Sequence, residues 1–226
     1  MRITDSTPKA DGFYMPSELA EHRCTYLLWP ERNDNWRAGA KPAQAAFKQV
    51  VQTIAKYEPV VLGVNKSQYA HVLEMNMPNV QVVEISNDDS WIRDTGATFV
   101  VDGLGHMRAV DWAFNGYGGL VNGIYFPWDQ DDLIASKMCG IEGVDRYRLS
   151  NFVLEGGSVH SDGEGTILVT EETLLDPGRN PDMTKEQIEE TLKEYLGAEK
   201  ILWIPQGIYM DEDTNGHVDN ICQWVA

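Results

Sequence analysis

Helix and strand signals alternate along this chain, and that alternation limits its fold more than any other feature. In segment 42–58 the apolar residues Ala43, Ala46, Phe47, Val50, Val51, Ile54 and Ala55 recur at helical spacing, with Pro42 suited to the first turn. Segment 59–64 is short and apolar, as a buried strand would be. Segment 67–75 reads as a second helix with Ser67 as its N-cap, and 80–85 as a further strand. Two strands are expected within 97–112 around the turn Asp102-Gly103, and a helix over 130–139. Strands 147–154 and 166–170 follow, separated by the turn-rich Ser161-Asp162-Gly163-Glu164-Gly165. Helix 184–196 has a capping box in Thr184 and Gln187, one apolar face in Ile188, Leu192 and Leu196, and a stop at Gly197. Strands at 200–204 and 217–225 close the pattern. No low-complexity linker interrupts it, so residues 1–226 read as a single α/β domain whose elements hint at a repeated unit. The last strand would leave an unpaired edge at the end of the chain.

The surface is strongly acidic. Thirty-five acidic against 18 basic side chains give a net charge of −17, which repels nucleic acid and anionic membranes and attracts cations. A plain solubilising surface has the same composition. The three cysteines, Cys24, Cys139 and Cys222, are scattered and show neither a disulfide framework nor zinc spacing. No stretch approaches the ~20 apolar residues of a membrane span, and residues 1–11 are polar. A reducing cytoplasm is the expected location, with a homo-oligomer left open.

Four segments combine glycine, acids and aromatics where packing alone would not ask for them. In Asn87-Asp88-Asp89-Ser90-Trp91-Ile92-Arg93-Asp94-Thr95-Gly96, three Asp, an Arg and a Trp follow a strand, as a pocket edge or a solvated loop. Trp112-Ala113-Phe114-Asn115-Gly116-Tyr117-Gly118-Gly119 reads first as an aromatic packing turn. In Leu154-Glu155-Gly156-Gly157-Ser158, a strand delivers an acid that must be paired or functional. In Thr214-Asn215-Gly216-His217-Val218-Asp219-Asn220, an extended chain would turn His217 and Asp219 to one face. Three carboxylates and an imidazole could ligate a metal, although the usual spacings are absent, or serve glycoside hydrolysis, which needs no His. A guanidinium fits better. Its planar fork matches carboxylates, and its poorly electrophilic carbon calls for a covalent nucleophile, commonly a thiolate, with a His moving protons.

These residues resemble the agmatine deiminase family of the guanidine-modifying pentein superfamily. The likeness runs through Thr7-Pro8-Lys9-Ala10-Asp11-Gly12-Phe13, Met15-Pro16, Trp29-Pro30-Glu31-Arg32, 88–96, 114–119, 154–159, 162–166, Arg179-Asn180-Pro181 and 214–220. It implies a pentein α/β-propeller of βαβ-type blades, about three of five in this chain, and cofactor-free hydrolysis of agmatine to N-carbamoylputrescine and ammonia. Asp94 and Asp219 would bind the guanidinium nitrogens, His217 would be the acid and base, and Glu155 would hold the guanidinium and position His217. Trp91 would line the channel for the aliphatic chain, and Asp213 would help with the distal amine. Ala97 stands where the family usually has Pro, and Gly116-Tyr117 where Ala-Trp is common.

The family's nucleophilic Cys lies in a Gly-Gly-Gly-Asn-x-His-Cys motif that this sequence lacks. Cys222, five residues beyond His217, would face away from it on an extended strand. The resemblance therefore implies a C-terminally truncated copy, inactive alone and without its nucleophile. A non-catalytic guanidinium- or polyamine-binding fragment is the alternative. A structural piece that pairs with a separate C-terminal part, and a metal-dependent hydrolase, are further ones.

Overall fold

The computed structural model describes residues 1–225. In chain order the elements are β1 (Arg2–Ile3), β2 (Thr25–Leu28), α1 (Lys41–Ile54), β3 (Val60–Val64), α2 (Lys66–Leu73), β4 (Val80–Glu84) and α3 (Ile92–Thr95). β5 (Thr98–Val101), β6 (Met107–Ala113), α4 (Gly119–Asn122), α5 (Ile134–Glu142) and β7 (Arg146–Val153) come next. The last are β8 (Val159–Ser161), β9 (Thr166–Thr170), α6 (Glu171–Leu174), α7 (Lys185–Leu196) and β10 (Lys200–Ile204). The protein is a mixed α/β chain whose described strands form three sheets. Its contacts group into two compact units.

One unit comprises Glu21–Ile92 with Asp129–Ile134. Its sheet has the order β2-β3-β4, all parallel, as helical crossovers require. Every residue of β3 is buried, which is why its sequence is a continuous apolar run. Gly63 in this strand has no room for a side chain, because a Cβ would lie 2.6 Å from Leu28 and 2.9 Å from Ile85. α1 begins with a proline in its first turn, as its sequence predicts. α2 differs from expectation. Asn65 stands at its N-cap without a side-chain bond, and the Ser67 hydroxyl donates instead to Glu31 Oε2 at 2.8 Å.

The other unit comprises Met1–Ala20, Arg93–Trp128 and the chain from Ala135 onward. Its larger sheet has the order β1-β7-β6-β5, with the 5–6 pair forming the antiparallel hairpin expected around Asp102-Gly103. Its smaller sheet has the order β10-β9-β8. α7 has both bonds of its capping box, buries Ile188, Leu192 and Leu196, and ends at Gly197 in the left-handed region with φ 65°. Two expectations fail. β8 is an unforeseen strand of three residues paired with β9, hidden in the sequence because His160 and Ser161 are buried polar residues. No strand forms over 217–225, where a single 3-10 turn, Val218–Asn220, is followed by irregular chain. The unpaired edge expected there is therefore not a feature of the described residues.

Thr184→Ala removes the α7 side-chain cap and leaves Gln187 N without its partner. Such caps are worth about 1 kcal/mol. Urea denaturation should show a loss of that order with an unchanged denaturant slope.

Candidate active site

The chain places its candidate groups around one glycine. β7 ends at Val153, Leu154 is buried, and Glu155 leads in extended conformation into a 3-10 turn, Gly156–Ser158. Gly156 admits no side chain, since a Cβ would sit 1.9 Å from Arg93 O. At Gly157 a Cβ would lie 2.5 Å from His217 Nδ1, 2.7 Å from Asp219 Oδ2 and 2.9 Å from Asp94 Oδ1. An imidazole and two carboxylates from two separate segments thus face the space beside one bare Cα. This is the close approach for which glycine is required.

Asp94 lies in the short α3 and is buried. Gly157 N donates to its Oδ1 at 3.0 Å and the Tyr117 hydroxyl to its Oδ2 at 2.7 Å. Tyr117 is itself buried, at a positive φ of 71°. Glu155 is fully buried, and Arg179 Nε donates to both its oxygens, at 2.9 and 3.0 Å. His217 is 2% exposed and makes ion-pair rather than hydrogen-bond approaches. Its Nδ1 is 3.7 Å from Asp94 Oδ1 and 4.0 Å from Asp219 Oδ1, and its Nε2 is 3.8 Å from Glu155 Oε2. That Nε2 is buried without a hydrogen-bond partner. The Asp219 side chain is 31% exposed, with Arg93 Nε 3.9 Å from its Oδ2.

The structure therefore brings together Asp94, Glu155, His217 and Asp219, the four residues singled out from sequence. The route for one pair differs from the one expected. His217 and Asp219 do not share the face of a strand; they are joined across the 3-10 turn that starts after His217. The strand-based reason for setting Cys222 aside lapses with that strand.

The loop before His217 is held by side chains. Asp211 accepts from Thr214 N at 3.0 Å, Gly216 N at 3.0 Å and Asp213 N at 3.2 Å. Thr170 and Thr173 donate their hydroxyls to Gly216 O and Asn215 O at 2.7 and 2.8 Å. Asp213 enters this loop through its backbone; its side chain is exposed and makes none of the contacts around Gly157. Trp91 belongs to the other unit. There its ring stacks on Trp36 at 5.2 Å, and both indole N–H groups donate to the buried Asp89 carboxylate, at 2.8 and 2.7 Å.

Burial acts against charge on each of these groups, and for Glu155 and His217 the neighbours outweigh it. For Glu155 burial raises the pKa, but the Arg179 charge and the His217 imidazole outweigh it, and the carboxyl stays below its usual range. For His217 burial lowers the pKa, and Glu155, Asp94 and Asp219 together lift it above the usual imidazole value. Asp219 is raised, by burial first, with the Asp94 charge adding to it and His217 opposing. Burial and then the Asp94 charge hold the Tyr117 phenol far above its usual range, so it remains a donor. Such a cluster can hold a planar cation and exchange a proton with it. Among the described residues, no group of three or more His, Cys, Asp or Glu is arranged to hold a metal ion.

Two participants escaped the sequence. Tyr117 sits in a segment that reads as aromatic packing, yet its hydroxyl anchors Asp94. Arg179 was visible only as part of an Arg-Asn-Pro motif.

A family model described as Porphyromonas-type peptidyl-arginine deiminase matches residues 14–226. The chain belongs to that family. It is 52% identical to the agmatine deiminase of Ectopseudomonas mendocina, over all of this chain and 61% of the relative. It is 61% identical, with the same coverage, to a Latilactobacillus sakei protein whose name marks it as a presumptive agmatine deiminase. The solved agmatine deiminase of Enterococcus faecalis superposes with a TM-score of 0.94 at 52% identity, covering 96% of this chain and 60% of that one. The chain thus spans about three-fifths of the length of the curated relatives it matches. In this member of the peptidyl-arginine deiminase family, the groups around Gly157 come from within that matched span.

The raised His217 pKa has a defined consequence for stability. A histidine that holds its proton more tightly when folded stabilises fully below its unfolded pKa of about 6.5. That contribution is lost as pH rises through the folded value. Denaturant titrations at successive pH values above 6.5 should show the wild-type chain losing stability relative to His217→Asn, whose profile lacks this component.

Proposed function

We propose that this chain carries the guanidinium-binding and proton-transfer part of an agmatine deiminase, which hydrolyses agmatine to N-carbamoylputrescine and ammonia. The observation that carries the reading is the convergence of Asp94, Asp219 and His217 on Gly157. Asp94 has one oxygen on Gly157 N and the other on Tyr117, which fixes its plane and leaves lone pairs for guanidinium N–H groups. Asp219 is the more open partner. Trp91, on its stack, is the reading's candidate for the aliphatic chain, and exposed Asp213 its candidate for the distal ammonium. The acidic surface favours the approach of a cation.

In the proposed reaction a thiolate adds to the guanidinium carbon. A C–N bond then breaks, and the departing nitrogen takes a proton from His217 and leaves as ammonia. The neutralised His217 next accepts a proton from water as the water attacks the same carbon. The C–S bond breaks as the added hydroxyl releases its remaining proton to solvent, where ammonia takes it up, and the neutral carbamoyl product and the thiolate separate. The raised pKa of His217 suits the first transfer, because it favours the imidazolium form that gives up the proton. Glu155 supports it as a buried negative charge beside Nε2. Burial pushes the Cys139 thiol up to about 11, which disqualifies it as a neutral-pH thiolate. The reading assigns the nucleophile to none of the three cysteines, so this chain alone binds agmatine without turning it over. No disulfide joins the three cysteines, in keeping with a cytoplasmic enzyme. In this reading residues 1–226 act together as one agmatine-deiminase-like domain.

Calorimetric titration of the chain with agmatine should give a measurable binding heat. Asp94→Asn should weaken binding roughly 10- to 100-fold, the worth of a hydrogen bond to a charged group. Gly157→Ala should abolish binding by filling the space the three groups face. No heat with the wild-type chain would sink the substrate assignment. Ammonia release by the wild-type chain would sink the assignment of the nucleophile elsewhere.

A further inference from the structure

Arg179 has a side chain with no exposed surface, placed among functional groups, and the proposed reaction gives it no step. Its Nε donates to both oxygens of Glu155. The terminal nitrogens of the same guanidinium point the other way along the fork. One donates to Thr214 O at 2.9 Å, and the other lies 3.5 Å from Asn215 Oδ1 and 3.6 Å from Asp176 Oδ1. Thr214 and Asn215 are the residues that lead through Gly216 into His217. We infer that Arg179 is the positioning residue of this site, coupling the Glu155 carboxylate to the loop that carries His217.

The geometry suits arginine and no other side chain. The charge needed to offset a fully buried carboxylate and the donors needed to satisfy two loop oxygens come from one planar group. A lysine could supply the charge, but its single nitrogen could not span Glu155 and the loop together. The next residue strengthens the anchorage. Asn180 bonds Val153 twice, its Oδ1 accepting from Val153 N at 2.9 Å and its Nδ2 donating to Val153 O at 3.0 Å. Residues 179–180 therefore grip the end of β7 from backbone to carboxylate, while the far end of Arg179 holds the His217 loop.

The inference rests on the deiminase reading for its significance, yet it can be tested apart from it. The groups around the His217 ring are Glu155 at Nε2, Asp94 and Asp219 at Nδ1, and the Tyr117 ring at 6.0 Å. Arg93 stands beyond Asp219 and pairs with Glu18. Removing Arg179 pushes His217 in opposite directions according to its role. If Arg179 is only a nearby cation, its loss makes the imidazolium easier to form, and the His217 pKa rises. If Arg179 holds Glu155 in place as a carboxylate, its loss lets Glu155 take up a proton or turn away. His217 then loses an anionic neighbour, and its pKa falls.

The experiment is a nuclear magnetic resonance titration of the His217 ring in the intact chain, with His217→Asn identifying the signal. Arg179→Met should lower the His217 pKa by about a unit, a tenfold shift in its protonation equilibrium. Infrared spectra of the same variant should gain a protonated-carboxyl band that is absent from the Glu155→Gln/Arg179→Met pair. In the Glu155→Gln background, Arg179→Met should cause no further fall. Arg179→Lys should restore the His217 pKa most of the way. A rise, no change, or an equal fall with and without Glu155 would overturn the inference. Should Arg179→Met fail to fold, Arg179→Lys and the double variant, which leaves no unpaired buried charge, still decide it. A Glu155→Gln/Arg179→Met chain with its His217 pKa at the wild-type value would refute the coupling. Absence of agmatine binding by the wild-type chain would count against the deiminase reading and leave this result standing.

Discussion

A carboxylate removed from water must find a cation and donors or give up its charge, and the unit that carries the candidate site is arranged around that requirement at Glu155. Arg179 meets it from a position equally withdrawn from solvent. Neither side chain would be tolerable alone, so the segments that bear them are fixed to one another. β7 is held through Val153 and Asn180, and the 214–215 loop through Thr214 and Asn215. Asn115 fastens the stretch just before Arg179 by donating to Gly178 O at 2.8 Å. The turn at Gly156–Ser158, which presents Gly157 N to Asp94, follows directly from the point where Glu155 is pinned.

How much of this was legible in the sequence depended on whether the signal was local. α7 declares itself through Thr184, Gln187, three apolar residues on one face and Gly197, and every one of those features is present. β3 declares itself as an apolar run because both its faces are covered. β8 could not be read in that way, since its inward residues include His160 and Ser161. Over 217–225, Val218, Ile221, Trp224 and Val225 imitate a strand. The hydrogen bonds of the preceding loop go instead to Asp211, Thr170 and Thr173, partners that no periodicity announces.

The same distinction holds for the site. Asp94, Glu155, His217 and Asp219 stood out because acids and a histidine beside glycines are costly residues without a purpose. Arg179 did not stand out, because an arginine in a turn-rich stretch reads as solvated charge. Its partner is 24 residues away, across a β-hairpin and a short helix. Tyr117 was hidden by its neighbours Phe114 and Tyr125, with which its ring does pack. Its hydroxyl, and not its ring, is what reaches the site.

The unsatisfied state of His217 then acquires a meaning within the proposed reaction. The ring is buried and surrounded by three carboxylates, yet it makes no hydrogen bond to any of them, the nearest approach being 3.7 Å. Its proton is held by the three together, Glu155 foremost, and is sensitive to any new charge placed among them. A guanidinium lying against Asp94 and Asp219 would bring a second cation into their field and neutralise part of what raises the His217 pKa. Binding of the substrate would by itself make the imidazolium a stronger acid, at the step where the departing nitrogen needs a proton. Glu155 limits how far the effect goes. With Arg179 already on both of its oxygens, its negative charge is spoken for, and it stays beside Nε2 when Asp94 and Asp219 turn to the substrate. Within the proposed reaction this placement would divide the labour among the three carboxylates: two would be available to the incoming cation, and one would be reserved for the histidine.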